Sequence, residues 1–317
     1  MSTKNVLLVG TGYMATEYAK VLSAFHIPFA VVGRSKKSVL IFRKKTGISA
    51  VSGGIRSWLP TNSRIFTHAI VAVNEQDMTD VALGILHAGI KNILIEKPGG
   101  LVLDDLRSIE RGAKRRKANV FVAYNRRFYG SVAEARKILA RDGGLLSIHF
   151  EFTEWTDQLR RLKLSSVKRR QWFFLNSSHV VDLAFFLAGV PRTISCFKTG
   201  AASWFPRAPI YTGAGVTAGG VLFSYHANWE SAGRWGIELY TRKHKIILRP
   251  LEKLFVQKRG SLEVHEHTFD AKDDTKFKPG LAKQVRAFLS GVTDNLPSIA
   301  EQLQHFNYYK KIDPSLS

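Results

Sequence analysis

The chain has 317 residues, with 47 Lys or Arg against 25 Asp or Glu and a single cysteine. That length suits two domains of ordinary size, and 45% hydrophobic with 23% charged residues is not the composition of a disordered chain. Cys196 alone excludes a disulfide framework and an all-cysteine metal site. No uninterrupted apolar run reaches the about 20 residues of a membrane helix; residues 180–190 are the richest stretch, and Asp182 breaks it. Only Lys4 is charged before the first strand-like segment, so no signal peptide is read and a reduced, cytoplasmic location without membrane insertion is expected.

The net charge of +22 attracts phosphates, carboxylates and nucleic acid. The basic residues fall in bursts at 34–45, 107–117, 126–127, 160–170 and 242–245. No helix-turn-helix, zinc-finger or RNP-type motif accompanies them, so nucleic acid is not the expected partner. Solvated helix faces are the simpler reading.

Taken in chain order, residues 5–9 form a short buried strand, and 14–25 have helical periodicity. Residues 29–32 are a second strand, followed by a basic helical stretch. Apolar strands follow at 69–73, 92–95 and 119–123, with helical patterns at 77–87 and 103–117 between them. Buried strands alternating with helices predict an α/β, doubly wound parallel sheet covered on both faces. Ser131 is placed as the N-cap of a helix through about Ala140, which Gly143-Gly144 stops. Beyond Leu145, residues 147–154 alternate as a half-exposed strand and 178–187 form a helix. Strands at 194–198, 220–228, 235–241 and 245–248 then follow without helices between them, which predicts an α+β second half with a large open, mainly antiparallel sheet. Helical patterns at 281–289 and 299–311 end the chain. The expected domains are a Rossmann-type dinucleotide-binding domain at 1–125 and a substrate and oligomerisation domain at 126–317, with the C-terminal helices able to pack back on the first.

Gly10-Thr11-Gly12-Tyr13-Met14-Ala15 is a GxGxxA sequence between the first strand and the first helix. Gly10 permits the tight turn, Gly12 lets backbone approach a pyrophosphate, and Ala15 allows close helix–strand packing. The helix N-terminus, including Tyr13 and Met14, supplies amide donors. An NAD site ordinarily has an acid at the end of the second strand. Here Gly33-Arg34-Ser35-Lys36-Lys37 has none. Arg34 can stack on adenine or grip a 2′-phosphate, and Ser35 can hydrogen-bond it, so NADP(H) is preferred, with NAD(H) the alternative. Val73 and Asn74, after the strand at 69–73, complete the expected cofactor positions together with Glu96 and Lys97.

The fingerprint, Glu96-Lys97-Pro98 at this distance, Tyr124-Asn125-Arg126-Arg127-Phe128 and Ser178-His179-Val180-Val181-Asp182 together resemble the Gfo/Idh/MocA oxidoreductases. The likeness covers nearly the whole chain, and Glu-Lys-Pro is its most specific part. It implies hydride transfer between a nicotinamide and a secondary alcohol or ketone of a sugar-like substrate. Lys97, beside the nicotinamide, would hydrogen-bond the substrate hydroxyl and assist proton removal. Glu96 and Pro98 would shape that loop. His179 is the natural proton carrier, and the matching family histidine is paired with the lysine; neither role needs a metal. Asp182, one helical turn on, orients a neighbour or steadies the helix.

Departures from the family pattern bear on the substrate. Many members carry Asp or Asn four residues before this His, where Leu175 stands here; Asn176, three before, can take its place in space. The segment 72–76 lacks the common proline, and Met78 replaces a frequent histidine. Asn125, Arg126, Arg127, Asn176 and His179 are the expected substrate contacts. Arg160, Arg161, Lys163, Lys168, Arg169 and Arg170 favour an anionic or nucleotide-linked sugar if their segment covers the site. Trp155 and Trp172 are read as core aromatics before sugar platforms. The competing readings are a non-catalytic dinucleotide-binding regulator, against which Lys97 and His179 argue, and a nucleic-acid-associated protein. Family likeness further implies a homodimer or homotetramer through the second sheet, whose strand at 220–228 alternates Val221, Phe223 and Tyr225 with Leu222, Ser224 and His226.

Overall fold

Apolar runs of four or five residues with no polar alternation have no face to offer water, so they bury on both sides. The computed structural model describes residues 4–162, 164–200 and 208–316, and it stacks these runs side by side. Strands β1 (Val6–Val9), β2 (Phe29–Val32), β3 (His68–Val71), β4 (Asn92–Glu96) and β5 (Asn119–Ala123) form a parallel sheet in the order β2-β1-β3-β4-β5. Helices α1 (Tyr13–Ala24), α2 (Lys36–Thr46), α3 (Ile55–Asn62), α4 (Met78–His87) and α5 (Leu103–Arg116) make the crossovers. The order runs outward in both directions from β1, so the carboxyl ends of β1 and β3 sit at the point where the winding reverses.

This first unit comprises Met1–Asn125 and Asp273–Gln304. The later segment brings α11 (Leu281–Ser290) against α1. It also protects the sheet edge: the Val122 amide donates to the Pro297 carbonyl at 2.9 Å, and Phe121 bridges Ser298.

The second unit comprises Arg126–Lys272 and His305–Ser317. Its sheet has eight strands, β6 (Ser147–Glu151), β7 (Pro191–Thr199), β8 (Ile210–Thr217), β9 (Leu222–Asn228), β10 (Gly236–Tyr240), β11 (His244–Leu248), β12 (Phe255–Lys258) and β13 (Val264–Glu266). They lie in the order β13-β12-β11-β10-β6-β9-β8-β7, antiparallel throughout except for β6 and β9, which run parallel. The mainly antiparallel sheet expected from the sequence is therefore present, with β8, β12 and β13 in addition. Helix α6 (Gly130–Arg141) precedes β6, and α7 (Thr156–Arg161), α8 (Ser166–Arg170) and α9 (Ser178–Ala188) follow it. The short α10 (Lys272–Lys276) and the last helix, α12 (Ile299–Ile312), each contain a division between the units.

Helix α9 lies on the buried face of this sheet. Phe185 meets Phe150 and Phe223 edge-on, with ring centroids 5.7 and 5.1 Å apart, an arrangement aromatic quadrupoles favour. Phe150, Phe152, Phe173, Tyr211 and Tyr225 continue the aromatic core. No helix among the described residues is long and apolar enough to cross a membrane.

Ser131 is not the cap of α6. The helix starts at Gly130 with Tyr129 in the capping position, and Ser131 is fully buried, its hydroxyl donating to the Leu251 carbonyl at 2.6 Å. Sequence preference placed a capping hydroxyl there; a buried carbonyl needing a donor claimed it instead.

His68, at the start of β3, packs edge-on against Phe288 of α11 at 5.2 Å. Burial, aided by the charge of Lys4, pushes its pKa down to about 4. Between that value and the ordinary histidine range the unfolded chain binds a proton that the folded chain excludes, so stability falls as pH drops through this window. We expect His68→Gln to flatten the loss of thermal stability between pH 7 and 4.5 by about 1 kcal/mol, screening at the water-facing edge keeping the effect small. Thermal melts of both proteins across that range check it.

Candidate active site

Strand β1 delivers the chain into a turn that only glycine can make. Gly10 has φ +122°, and a Cβ there would run into the Ala72 carbonyl. Gly12, at the N-cap of α1, differs: nothing lies within 4 Å of where its Cβ would be. Packing of the chain does not require glycine at that position. The turn opens into a cavity of about 750 Å³, and Gly10, Thr11, Gly12, Tyr13, Met14, Arg34, Ser35, Val73, Asn74, Glu96 and Lys97 all line it. The start of α1 points unpaired amides into this space, as a pyrophosphate requires. The donor set and the vacant surface beside Gly12 fit a dinucleotide.

At the end where a ribose would lie, Arg34 pairs with Asp77 at 3.0 Å and Arg56 with Asp80 at 2.9 Å. Arg34 remains largely exposed. Ser35 caps α2, accepting from the Ser38 amide at 3.2 Å while its hydroxyl reaches Ser38 Oγ at 3.0 Å. Sequence reasoning did not single out Asp77, which is the acid nearest this arginine.

The Lys97 loop is fixed from beneath. Glu96 is buried at the end of β4, and the Tyr18 hydroxyl donates to its Oε1 at 2.7 Å. Burial raises the Glu96 pKa, while Tyr18, Lys97 and Lys278 pull it back. The Tyr18 hydroxyl is itself pushed well up, by burial first and then by Glu96. From α12, Gln302 Nε2 donates to the Pro98 carbonyl at 2.9 Å and to the Tyr124 hydroxyl at 3.0 Å. On the far side, Asp105 Oδ2 accepts from the amides of Leu101 and Val102 at 2.7 and 3.0 Å. Glu96 therefore acts by anchoring the strand end that carries Lys97. Asn125 is also held, donating to the Pro279 carbonyl at 2.9 Å.

The second unit gathers the remaining candidates. His179 is buried in the first turn of α9, its ring 5.9 Å from that of Trp235. A π-helical turn, Phe173–Ser177, precedes it and aims Asn176 and Ser177 at Glu154. Asn176 Nδ2 and Ser177 Oγ donate to the Glu154 carboxylate at 2.9 and 2.7 Å, and Arg234 completes its shell at 3.2 Å. Burial raises the Glu154 pKa against the pull of those three partners. Arg234 stacks over Trp155 at 4.6 Å and Trp235 at 4.3 Å, and Arg126 over Trp235 at 4.6 Å. Trp155 is half exposed, so it is not the core residue the sequence suggested.

Arg127 turns to a different task. Its guanidinium grips Asp182 through Nε at 2.8 Å and Nη2 at 2.6 Å, with both side chains buried. This fork takes the donors that a substrate carboxylate would otherwise use. In the 160–170 segment, Arg160 and Arg161 belong to α7, Lys168, Arg169 and Arg170 to α8, and Lys163 lies outside the described residues. Arg161, Arg169 and Arg170 are exposed.

Residues 4–124 match the oxidoreductase family with an NAD-binding Rossmann fold, the Gfo/Idh/MocA family. No curated protein sequence matches the chain. Among solved structures, an oxidoreductase from Agrobacterium radiobacter in complex with NAD+, L-tartaric acid and magnesium is 13% identical with a TM-score of 0.80, over 99% of this chain and 96% of that one. UDP-N-acetylglucosamine 3-dehydrogenase from Acidithiobacillus ferrooxidans is 14% identical with a TM-score of 0.76, over 100% and 98%. A levoglucosan dehydrogenase in complex with NADH and L-sorbose is 18% identical with a TM-score of 0.77, over 99% and 97%. At these identities the likeness is one of fold. The likeness of fold to these structures extends over nearly the whole chain.

The Arg127–Asp182 fork ties the segment before α6 to α9. Burial works to lower the Arg127 pKa, and Asp182 more than offsets it. Arg127→Met strands a buried carboxylate and should cost about 3–5 kcal/mol, whereas Arg127→Met with Asp182→Leu should recover most of the loss. Urea unfolding midpoints of the single and double variants check this.

Proposed function

We propose that the protein is an NADP(H)-dependent oxidoreductase acting on a secondary alcohol or ketone of a sugar-like, anionic substrate in the cytoplasm. The observation that carries the reading is the common cavity. The Gly10–Gly12 turn, the acid-free Arg34-Ser35 end of β2 and Lys97 all face it. Gly10, Thr11, Gly12, Tyr13 and Met14 would hold the pyrophosphate, and Arg34 with Ser35 the adenosine 2′-phosphate. Asp77 keeps Arg34 oriented until a phosphate replaces it. Val73 and Asn74 line the path between the two ends.

The bound nicotinamide supplies the place from which hydride leaves or to which it goes. The chain's own residues manage the proton. Lys97 Nζ hydrogen-bonds the substrate hydroxyl and takes up part of its proton's charge as the carbon is oxidised. His179 is the second proton-handling residue of this reading, an imidazole able to take up or give a proton near neutral pH. Neither step calls for a metal ion. Asn176, fixed on Glu154, follows the position where the family pattern commonly has Asp or Asn, and an amide orients a hydroxyl without exchanging protons with it.

The test is kinetic. The KM for NADPH should lie at least about tenfold below that for NADH, and a preference for NADH would overturn the cofactor assignment. In the same assay Lys97→Ala should lower kcat by about 10²–10⁴-fold while leaving NADPH binding nearly unchanged. Near-normal turnover would remove Lys97 from the chemistry.

Assembly through the second sheet belongs to the same proposal. Phe197 on β7 is 70% exposed and Leu222 on β9 is 62% exposed, a pattern that leaves apolar surface for a second copy. The positive charge opposes association, but screening confines that repulsion to about 8 Å at physiological salt. Light scattering at micromolar concentration should report a homodimer or homotetramer, and Phe197→Glu should shift it toward monomer.

A further inference from the structure

Arg56 has no part in the function proposed above, yet it lines the same cavity as Arg34, together with Asp77 and Asp80. The backbone brings the two arginines to one rim. Val51 pairs with Val32 at the end of β2, and the chain then turns through Gly53 and Gly54 at φ +105° and +78°, a conformation that favours glycine. The amides of this turn reach back to the end of β2. Gly53 donates to the Arg34 carbonyl at 3.2 Å, and Gly54 donates to the Gly33 carbonyl at 2.9 Å. Gly54 is also the N-cap of α3, so Arg56 departs from the first turn of that helix beside the Gly33–Arg34 turn.

The far ends of the two side chains are held together as well. Asp77 caps α4 and Asp80 lies in its first turn; three residues apart, they share a helix face. Asp77 takes Arg34 at 3.0 Å and Asp80 takes Arg56 at 2.9 Å, which sets the two guanidinium groups next to each other on the rim. Both pairs face water: the side chains are 73% and 33% exposed in the first and 83% and 71% in the second. Ion pairs so exposed hold weakly, and a stronger anion exchanges with them at little cost. A phosphate monoester carries close to two negative charges at neutral pH, and one guanidinium balances only one of them. Building on the NADP(H) reading, we propose that Arg56 is a second cation for the adenosine 2′-phosphate, gripping it from α3 while Arg34 and Ser35 grip it from the end of β2. The Nη2 edge that now meets Asp80 is the edge a phosphate oxygen would take over. Specificity for the phosphorylated cofactor then rests on two segments of the chain, tied together by the Gly53–Gly54 turn.

The experiment is calorimetric titration of the full chain with adenosine 2′,5′-bisphosphate and with 5′-AMP, which differ only in the 2′-phosphate. The bisphosphate is expected to bind at least about tenfold more tightly. Arg56→Gln should cut that ratio about fivefold, through weaker bisphosphate binding at unchanged AMP affinity, as expected for a lost hydrogen bond to a charged group at an exposed site. Arg107→Gln is the control for net charge, because Arg107 on α5 is an exposed arginine paired with Asp104 in the same way; it should leave the ratio unaltered. Matching melting temperatures show that the variants remain folded. The proposal is overturned if Arg56→Gln keeps the wild-type ratio, if it weakens both nucleotides equally, as stacking on adenine would, or if Arg107→Gln lowers the ratio as much. Those three results leave the NADP(H) reading standing. Equal binding of the two nucleotides by the wild-type chain removes the NADP(H) preference and the role of Arg56 with it, and binding of neither removes the dinucleotide site.

Discussion

A carboxylate taken out of water must be surrounded by donors, or it costs several kcal/mol and forces its neighbours to move. That constraint organises both units. Glu96 draws in Tyr18 and thereby fixes the end of β4. Asp182 in α9 holds Arg127. Glu154 binds the π-helical turn through Asn176 and Ser177 and anchors Arg234 on the sheet. In each case the buried acid holds a strand end, a helix or a turn in place. Such shells are stiff because every oxygen is committed, and stiffness is what a hydrogen-bonding site needs.

The same constraint separates two populations among the basic residues. Arg127, Arg234, Arg249 and Lys198 each pair with an acid that is largely or fully buried, Asp182, Glu154, Glu151 and Asp313 respectively. These cations are structural. Others crowd the last turns of helices: Arg43, Lys44 and Lys45 end α2, and Lys114, Arg115 and Arg116 end α5. There they face the negative pole of the helix dipole, a favourable contact worth about 0.3–1 kcal/mol each. Much of the +22 charge thus has a local helical cause.

How much of this could be read from the sequence follows from the range of the forces involved. The parallel strands and the Gly10–Ala15 turn are local patterns, and they were legible. Strand β8 was not, because Gly213 and Gly215 dilute its apolar signal; those glycines are there because the rings of Tyr225 and Phe223 lie over them from β9. Arg127 read as a substrate contact because its partner stands 55 residues away on another helix. Gln302 was invisible for the same reason, reaching back 204 residues to Pro98. Glu154, however, left a trace. Ile148, Phe150 and Phe152 point inward with period two, and Glu154 continues that parity beyond the end of β6, so an acid on the buried face was predictable. Trp235 likewise continues the inward parity of Ile237 and Leu239.

Leu175, where the family pattern commonly has Asp or Asn, brings these threads together. Side chains 175 and 176 lie in a π-helical turn, where the extra residue rotates the chain so that Asn176 faces Glu154 and Leu175 packs into the core. The buried carboxylate of this region stands at the end of the neighbouring strand, where an amide and a hydroxyl donate to it. There it also meets Arg234 and, through the indole of Trp235, Arg126. An acid on the helix would offer its oxygens to a neutral hydroxyl. An acid engaged by Arg234 has none to spare, and the field left around Trp235 is that of the unmatched Arg126 guanidinium. With the oxygens of Glu154 committed to Asn176, Ser177 and Arg234, the charge beside Trp235 is set by the guanidinium groups stacked on it.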